Sequence, residues 1–419
     1  MSTPAKMAYL VSLYPAVSHT FILREIRLLR ELGHEVVTAS VNRPPNQALG
    51  AQERSELRHT FFIKAQGLGG ALSALLYWLL RAPHRLLVML CMAPGLGTRG
   101  RRSLGLAYGL EAAILARWMQ QQGTQLLHVH FGNAAASVGL LTRCLTRCHL
   151  SCTIHGPDEF DDVAGQHLAR KVAGADAIVC ISQHARAQLM RIAAPQHWHK
   201  LTVCRLGVDT RDFSFSVPVR GPVARLLCVG RLAPAKAQIV LLQALALLRD
   251  RGVPCQLTLV GDGVDRARIE ATVEQLGLAP LVRMTGALPQ AGVRKAMAQA
   301  DIFVLPSLAE GIPIVLMEAM ASGLPCVSTP VNGIPELISA PQQGLLATPG
   351  DPLSLAAHLQ QLIQDPALCR TIALAALDKL QQDFELRRNV QQLSRLFRSF
   401  RLPPHAPVLP ASPQTRGVA

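Results

Sequence analysis

The stretch 302–328, IFVLPSLAEGIPIVLMEAMASGLPCVS, decides how this chain of 419 residues folds. Ile302–Leu305 reads as one strand and Cys326–Ser328 as another, with a helix between them, which is the βαβ unit of a parallel sheet. Pro313 suits the first helical turn, where its missing N–H breaks no hydrogen bond. The amides near Ile314 and Val315 then become free donors at the positive end of the helix, a place suited to a phosphate. Gly311 and Ile312 belong to the same entry loop. Glu310 stands on the loop before the helix. Glu318 lies about one and a half turns inside it, at ~3.6 residues per turn.

Working outward, Arg225–Val229, Gln256–Val260 and Val282–Thr285 read as earlier strands of the same series, and Leu345–Ala347 as its last. Helical segments separate nearly all of them. An earlier series runs through Ala8–Leu13, Val36–Val41, Leu126–His130, Ser151–His155 and Ala177–Ile181, and ends near Leu201–Cys204. Its first helix carries Phe21, Ile22, Ile26, Leu28, Leu29 and Leu32 at helical spacing, and Gly33 stops it. One α/β theme is therefore repeated. The expected architecture is an N-terminal Rossmann-like domain over 1–205 and a second over 206–375, with the polar, Pro-bearing stretch 210–222 as linker. Helices over 376–402 are expected to pack back on the N-terminal domain, and 403–419, rich in Pro, Ser and Ala, to be a disordered tail. Two open parallel sheets create a cleft facing the carboxyl ends of both strand sets, where ligands bind in such folds.

Composition narrows the class. Hydrophobic residues make up 49% and aromatics only 4%, which suits cores of Leu, Val, Ile and Ala. Ten scattered cysteines with no C-x-x-C pair fit a reducing cytoplasm. Cys144, Cys148 and Cys152 straddle a helix end and a strand without a completing His pair, so no metal site is expected. The net charge is +15, and the basic excess is concentrated early: residues 1–205 hold 22 Lys and Arg against 11 Asp and Glu. A basic face of that kind attracts phosphorylated or anionic partners. The longest apolar stretch, 71–94, is interrupted by Arg81, His84 and Arg85, so it falls short of the ~20 apolar residues of a spanning helix.

Glu310 and Glu318, set within E-G-x-P…E-A-M-A-x-G-x-P-C, closely resemble the motif of a large family of retaining nucleotide-sugar glycosyltransferases, family four, with the GT-B fold. Val229-Gly230-Arg231-Leu232 with Lys236 resembles the loop opening that family's second domain, though Ala237 stands where glycine is usual. Leu259-Val260-Gly261-Asp262-Gly263 resembles its turn beneath the nucleotide. Tyr14-Pro15-Ala-Val-Ser18-His19-Thr20-Phe21-Ile22 and Glu25 are similar to the first loop and helix of the colanic-acid-type exopolysaccharide subgroup. His128-Val-His130-Phe131 and Thr153-Ile-His155-Gly156-Pro-Asp158 resemble two strand ends of the same family.

The resemblance implies α/β GT-B architecture, with two Rossmann-like domains facing a central cleft. It implies a retaining hexosyltransferase that needs neither metal nor cofactor, with UDP- or GDP-sugar as donor substrate. By that resemblance Glu310 approaches the donor sugar and Glu318 holds the ribose hydroxyls. Arg231 and Lys236 face the pyrophosphate, beside Gly230, Gly261, Gly311, Ile312 and Ile314. His155 lies near the reacting centre, and Ser18, His19, Thr20, His130 and Asp158 line the cleft or acceptor side. For His128 and His130 a structural role weighs as heavily as a functional one. The implied acceptor is a saccharide linked to polyprenyl diphosphate, extended at the cytoplasmic face of the cell membrane. No nucleic-acid partner is implied. A nucleotide-sugar epimerase or sugar phosphorylase of the same fold is the alternative. A dinucleotide oxidoreductase is excluded, because no G-x-G-x-x-G follows the first strand.

Overall fold

The computed structural model describes residues 6–16, 20–44, 50–219 and 221–400. The expected tail lies outside them. Strands β1 (Met7–Leu13), β2 (Val36–Asn42), β3 (Phe61–Phe62), β4 (Leu126–His130), β5 (His149–Ile154), β6 (Ala177–Cys180) and β7 (Leu201–Val203) form one sheet in the order β3-β2-β1-β4-β5-β6-β7. Strands β8 (Ala224–Val229), β9 (Cys255–Val260), β10 (Val282–Met284), β11 (Ile302–Val304), β12 (Cys326–Ser328) and β13 (Leu345–Leu346) form a second, in the order β10-β9-β8-β11-β12-β13. Every ladder between these strands is parallel. The strand order reverses direction at β1/β4 in one sheet and at β8/β11 in the other, the switch points where parallel sheets open a crevice. The two-residue β3 was not legible as a strand in the sequence.

The first helix, Thr20–Glu31, shows why these segments fold as they do. It buries Ile22, Leu23, Ile26 and Leu29 on one stripe, and the chain turns at Gly33, whose φ of +89° is left-handed backbone that glycine adopts freely. The helix Pro366–Asp383 stays with the second domain, packing on the helix Ile314–Ala321. Residue 376 therefore lies inside a helix, and the break expected there is corrected to Phe384–Glu385. At that crossing Val208 N–H donates to Phe384 O and Leu386 N–H to Val208 O, so the outgoing and returning chain segments pair. Gly207 is needed beside them, since a Cβ there would lie 2.5 Å from Phe384 O. The last helix, Leu386–Ser399, buries Leu386, Val390, Leu393 and Phe397 against β1 and the first helix.

The stretch 71–94 is a helix pair, Gly67–Arg81 and Pro83–Met92. Ala71, Ala74, Trp78, Leu86 and Met89 face the core, and the Trp78 indole donates to Ala113 O. Leu68, Leu72, Leu76 and Leu80, spaced four apart, point outward and are 80, 68, 58 and 78% exposed. Leu79, Leu87 and Val88 extend that outer face. Arg85 is not part of it: its guanidinium donates to Leu145 O, at the carboxyl end of the helix Ala134–Thr146. Among the described residues no helix is long and apolar enough to cross a membrane.

Candidate functional site

A cleft of about 560 Å³ opens between the carboxyl ends of the two sheets. Leu13, Ala16 and Thr20 line it from the first domain; Gly230, Arg231, Gly261, Ile314, Val315 and Glu318 line it from the second. Ser18 and His19 lie outside the described residues.

The floor on the second side is two glycine turns stacked on each other. Gly261 has φ +146°, and a Cβ there would fall 1.9 Å from Gly230 O; Gly263 has φ +158°, with Leu232 O at 2.2 Å. No side chain fits between these loops, and they are laced together by Gly230 N–H donating to Val260 O and Leu232 N–H donating to Asp262 O. Arg231 follows and is exposed. Lys236 ends a single turn of 3₁₀ helix, and Ala237 takes φ +48°. That left-handed residue costs roughly 1–2 kcal/mol where glycine would not. The loop nevertheless holds, because Leu308 N–H donates to Ala235 O and ties it to the Glu310 segment.

Glu310 is buried and accepts from both Lys236 Nζ and Ser307 Oγ, while its own N–H donates to Asn332 Oδ1. Its neighbour Gly311 rests on the first domain: a Cβ would lie 2.2 Å from His155 O. Pro313 occupies the N-cap of the helix Ile314–Ala321, one position before the expected first turn. The amides of Ile314 and Val315 still precede any intrahelical acceptor and still face the cleft. Glu318 is buried inside the helix, and burial pushes its carboxyl pKa up against the pull of Arg24 and Gln290. Its Oε1 accepts from both Arg24 terminal nitrogens at 3.2 Å and from Gln290 Nε2 at 2.8 Å. Arg24 belongs to the first helix, so this ion pair spans the two domains.

On the first domain, His155 follows β5 and is buried between the rings of Phe21 and Phe131. Its Nε2 meets His130 Nδ1 at 2.9 Å; His130 Nε2 meets Glu25 Oε1 at 3.1 Å; Tyr9 Oη donates to that same oxygen at 2.8 Å. Phe131, between the two histidine segments, holds φ +72°, a strained conformation of the kind that collects at functional sites. The loop after His155 is set by Glu159, whose Oε2 accepts from the amides of His155 and Gly156 and whose Oε1 accepts from Gly132 N–H. Burial raises the Glu159 pKa to about 7 and lowers that of nearby Lys171 to about 8.

One expectation needs correction. His130 is fully buried beneath His155 and does not line the cleft, because β4 is an inner strand whose side chains meet the core on both faces. Asp158 is exposed on the short helix Pro157–Phe160; the carboxylate turned inward is its neighbour Glu159. A signal for Glu159 was present in the sequence, since Pro157 followed two residues later by Glu has the form of a capped first turn. Arg24, Gln290 and Asn332 carried no such signal, because each acts on a residue far away in the chain. Glu25, His128 and His130 bring possible ligand atoms within 4.8 Å of one another. Their four ring nitrogens nonetheless have protein partners: Ser151 and Thr153 on His128, Glu25 and His155 on His130. The cluster satisfies itself as a hydrogen-bonded network.

Residues 18–212 match the family model described as Glycosyltransferase Family 4, and residues 223–365 match the one described as Glycosyl transferases group 1. WcaL of Salmonella typhimurium, whose name assigns it to colanic acid biosynthesis, is 29% identical over 94% of this chain and all of its own length. The amylovoran biosynthesis glycosyltransferase AmsK of Erwinia amylovora is 28% identical over 93% of this chain and 98% of its own. Among solved structures, sucrose-phosphate synthase from Thermosynechococcus elongatus superposes with TM-score 0.73 at 20% identity, covering 94% of this chain and 98% of its own. Anabaena HepE in complex with UDP and glucose does so with 0.72 at 19%, covering 94% and 100%. At these identities the solved structures establish the GT-B fold.

Proposed function

The chain belongs to the group 1, family 4 glycosyltransferases, and on that premise we propose that it is a retaining hexosyltransferase. It moves a sugar from a UDP- or GDP-sugar to a growing exopolysaccharide oligosaccharide linked to polyprenyl diphosphate. The observation that carries the reading is that Arg231, the buried Glu318 and the first residues of a helix, Ile314 and Val315, line one cleft, with the Lys236–Glu310 ion pair set beside Gly230. Glu318 suits a ribose diol. Arg231, Lys236 and the amides of Ile314 and Val315 suit a diphosphate leaving with its charge, which is stabilisation aimed at the transition state. His155 and Glu310 flank the sugar position, brought together by the contact of Gly311 with His155 O. The acceptor attacks from the face the nucleotide leaves, and the departing phosphate takes the acceptor's proton. These cations and amides supply the charge stabilisation, so the reading requires neither metal nor cofactor. Hydrolysis and transfer across a panel of UDP-, GDP- and ADP-sugars, with and without EDTA, tests it. Turnover of a UDP- or GDP-sugar with retained anomeric configuration and no loss in EDTA is expected. Inverted product, or activity restored only by manganese, refutes it.

The acceptor part of the reading is supported by the exposed leucines of the helix pair at 67–92. A contiguous apolar face of this kind marks a docking surface, and a basic domain favours an anionic bilayer as the occupant. The enzyme then works as a peripheral protein on the inner face of the cell membrane. Flotation with anionic vesicles at low salt should recover it, and Leu76→Ser with Leu80→Ser and Arg81→Glu should abolish binding while leaving transfer to a soluble acceptor. Equal flotation of that variant and the wild type would refute the membrane assignment alone.

A further inference from the structure

β4 and β5 run side by side to their ends, where Phe131 N–H donates to Thr153 O and closes the ladder between them. Beyond that bond the two chains turn, Phe131 with φ +72° and Gly156 with φ +138°. The amides of Gly132, His155 and Gly156 stand past the ladder, and one side chain takes all three. Glu159 Oε2 accepts from His155 N–H at 2.6 Å and from Gly156 N–H at 2.7 Å, and its Oε1 accepts from Gly132 N–H. Lys171 holds the other side of the first loop, donating from Nζ to Gly132 O and Asn133 O, each at 2.8 Å. Both backbone polar atoms of Gly132 are thus bound by charged side chains.

Those side chains are only 4 and 3% exposed. The desolvation of a buried ion pair commonly outweighs its attraction, and burial here raises the Glu159 pKa and lowers that of Lys171. Neutral caps suffice elsewhere at the carboxyl end of the same sheet: Ser182, after β6, accepts from Ala185 N–H, and Asn133 accepts from Ala135 N–H. What sets the Gly156 loop apart is the other domain resting on it. A Cβ on Gly156 would lie 3.0 Å from Gly311 Cα, and one on Gly311 would overlap His155 O, so two bare backbones touch. Gly311 is confined on another side as well, since a Cβ on Gly333 would overlap Gly311 O. One residue before Gly311 stands Glu310. A drift of the His155–Gly156 peptide is therefore passed to the Glu310 loop, with no side chain between them to absorb it.

We propose that Glu159, strapped from the far side by Lys171, is a positioning residue of the transfer reaction: its carboxylate ties the ends of β4 and β5 into one rigid ledge that sets His155 against the Gly311 contact, and hence against Glu310. This rests on the reading of His155 and Glu310 as the residues flanking the sugar. Glu159 acts through backbone and touches no substrate, and it needs an acceptor at all three amides. Glu159→Gln keeps the shape of the side chain but turns an NH₂ toward either Gly132 or the His155–Gly156 pair, so one loop loses its tie.

Phe131–Gly132 is the one Phe-Gly step in the sequence and His155–Gly156 the one His-Gly step. Protein with ¹⁵N-glycine and ¹³C-carbonyl phenylalanine or histidine therefore isolates each amide by NMR. In the wild type both should lie downfield and exchange slowly, as hydrogen bonds to a buried carboxylate require. Glu159→Gln should move at least one of them upfield and lower kcat at least ~10-fold at saturating donor, while UDP or GDP affinity stays within about twofold. Ser182→Ala, which loses a neutral cap at the neighbouring strand end, should lower the melting temperature and leave kcat unchanged. Wild-type amides at Gly132 and Gly156 that exchange like open loops overturn the proposal whether or not the variant folds. A folded Glu159→Gln whose amides move while kcat holds overturns the positioning role. A wild type that binds neither UDP nor GDP is a different failure: the transferase reading falls, and the clamp stands or falls on the two amide signals alone.

Discussion

Substituting Glu318 and Arg24 separately should move nucleotide affinity in opposite directions. Glu318 Oε1 already accepts three hydrogen bonds, two of them from Arg24, and the two side chains are only 5 and 17% exposed. A ribose diol bound to Glu318 as proposed must therefore win this oxygen from a partner in place. The charged hydrogen bond it gains is worth roughly 1.5–3 kcal/mol. Releasing Arg24 costs the worth of a partly buried ion pair, about 1 kcal/mol, at the upper end of what exposed pairs show. Glu318→Gln removes both terms, so it should weaken UDP or GDP by the difference, ~0.5–2 kcal/mol or roughly 2- to 30-fold. Arg24→Ala removes only the competitor and should tighten binding about fivefold. The double variant should bind no tighter than Glu318→Gln, because the competitor matters only while the carboxylate is present. Isothermal titration with each nucleotide, on samples whose melting curves show them folded, measures all three. Wild-type affinity in Glu318→Gln would refute the ribose role. Weaker binding in Arg24→Ala would mean that Arg24 is itself a ligand contact.

Arg231→Ala should lower kcat on the order of 10²-fold at saturating donor with little change in melting temperature, since the side chain is exposed and its proposed role is to stabilise the leaving diphosphate. Lys236→Ala should lower kcat and melting temperature together, because it also strips Glu310 of its ion pair. Gly311→Ala should cut kcat/KM at least ~10-fold with both domain cores intact, as its Cβ would press on His155 O and drive the two loops apart. For pH, the folded pKa of His128 lies below its unfolded value of about 6.5, so below that pH the unfolded chain takes up a proton that the fold refuses. The stability advantage of wild type over His128→Gln should shrink as pH falls from 6.5 to 5.5, by up to ~1.4 kcal/mol per pH unit, and stay flat above 7.5 in paired melting curves.

Much of this fold is periodic and local, which is why it could be read in the sequence. Runs such as Leu126–His130 and Cys255–Val260 are inner strands, and their apolar content marks them without reference to anything distant. The Gly261 and Gly263 turns and the Glu310–Glu318 spacing were legible for the same reason: each is one loop or one helix. What could not be read is set by distance in the chain. The burial of His130 depends on its being flanked by β1 and β5, and the partner of Glu318 sits 294 residues away. The outer face of 67–92 shows the limit from the other side. Its Leu, Ala and Trp content reads as uniformly apolar, and only the packing of Ala74 and Trp78 inward reveals that the leucines every fourth residue were left outside.

The cross-domain contacts share a feature that bears on how donor and chemistry are linked. Glu318 is held by Arg24, Gly311 lies on His155 O, and Asn332, which accepts from Glu310 N–H, also meets His184 Nε2 at 3.3 Å. Each joins a residue suited to the donor with one from the opposite domain, so neither domain alone has a complete site. Arg24 and Glu25 are adjacent on the first helix, one reaching across to the second domain and the other anchoring the His130–His155 chain. If a ribose displaces Arg24, as the proposed role of Glu318 requires, any shift is borne by the same helical turn that anchors His130. A helix held by Ile22, Ile26 and Leu29 in the core moves as a rigid piece rather than bending at one residue. On the proposed ribose role of Glu318, this shared helix is the route by which occupancy of the nucleotide end would reach His155.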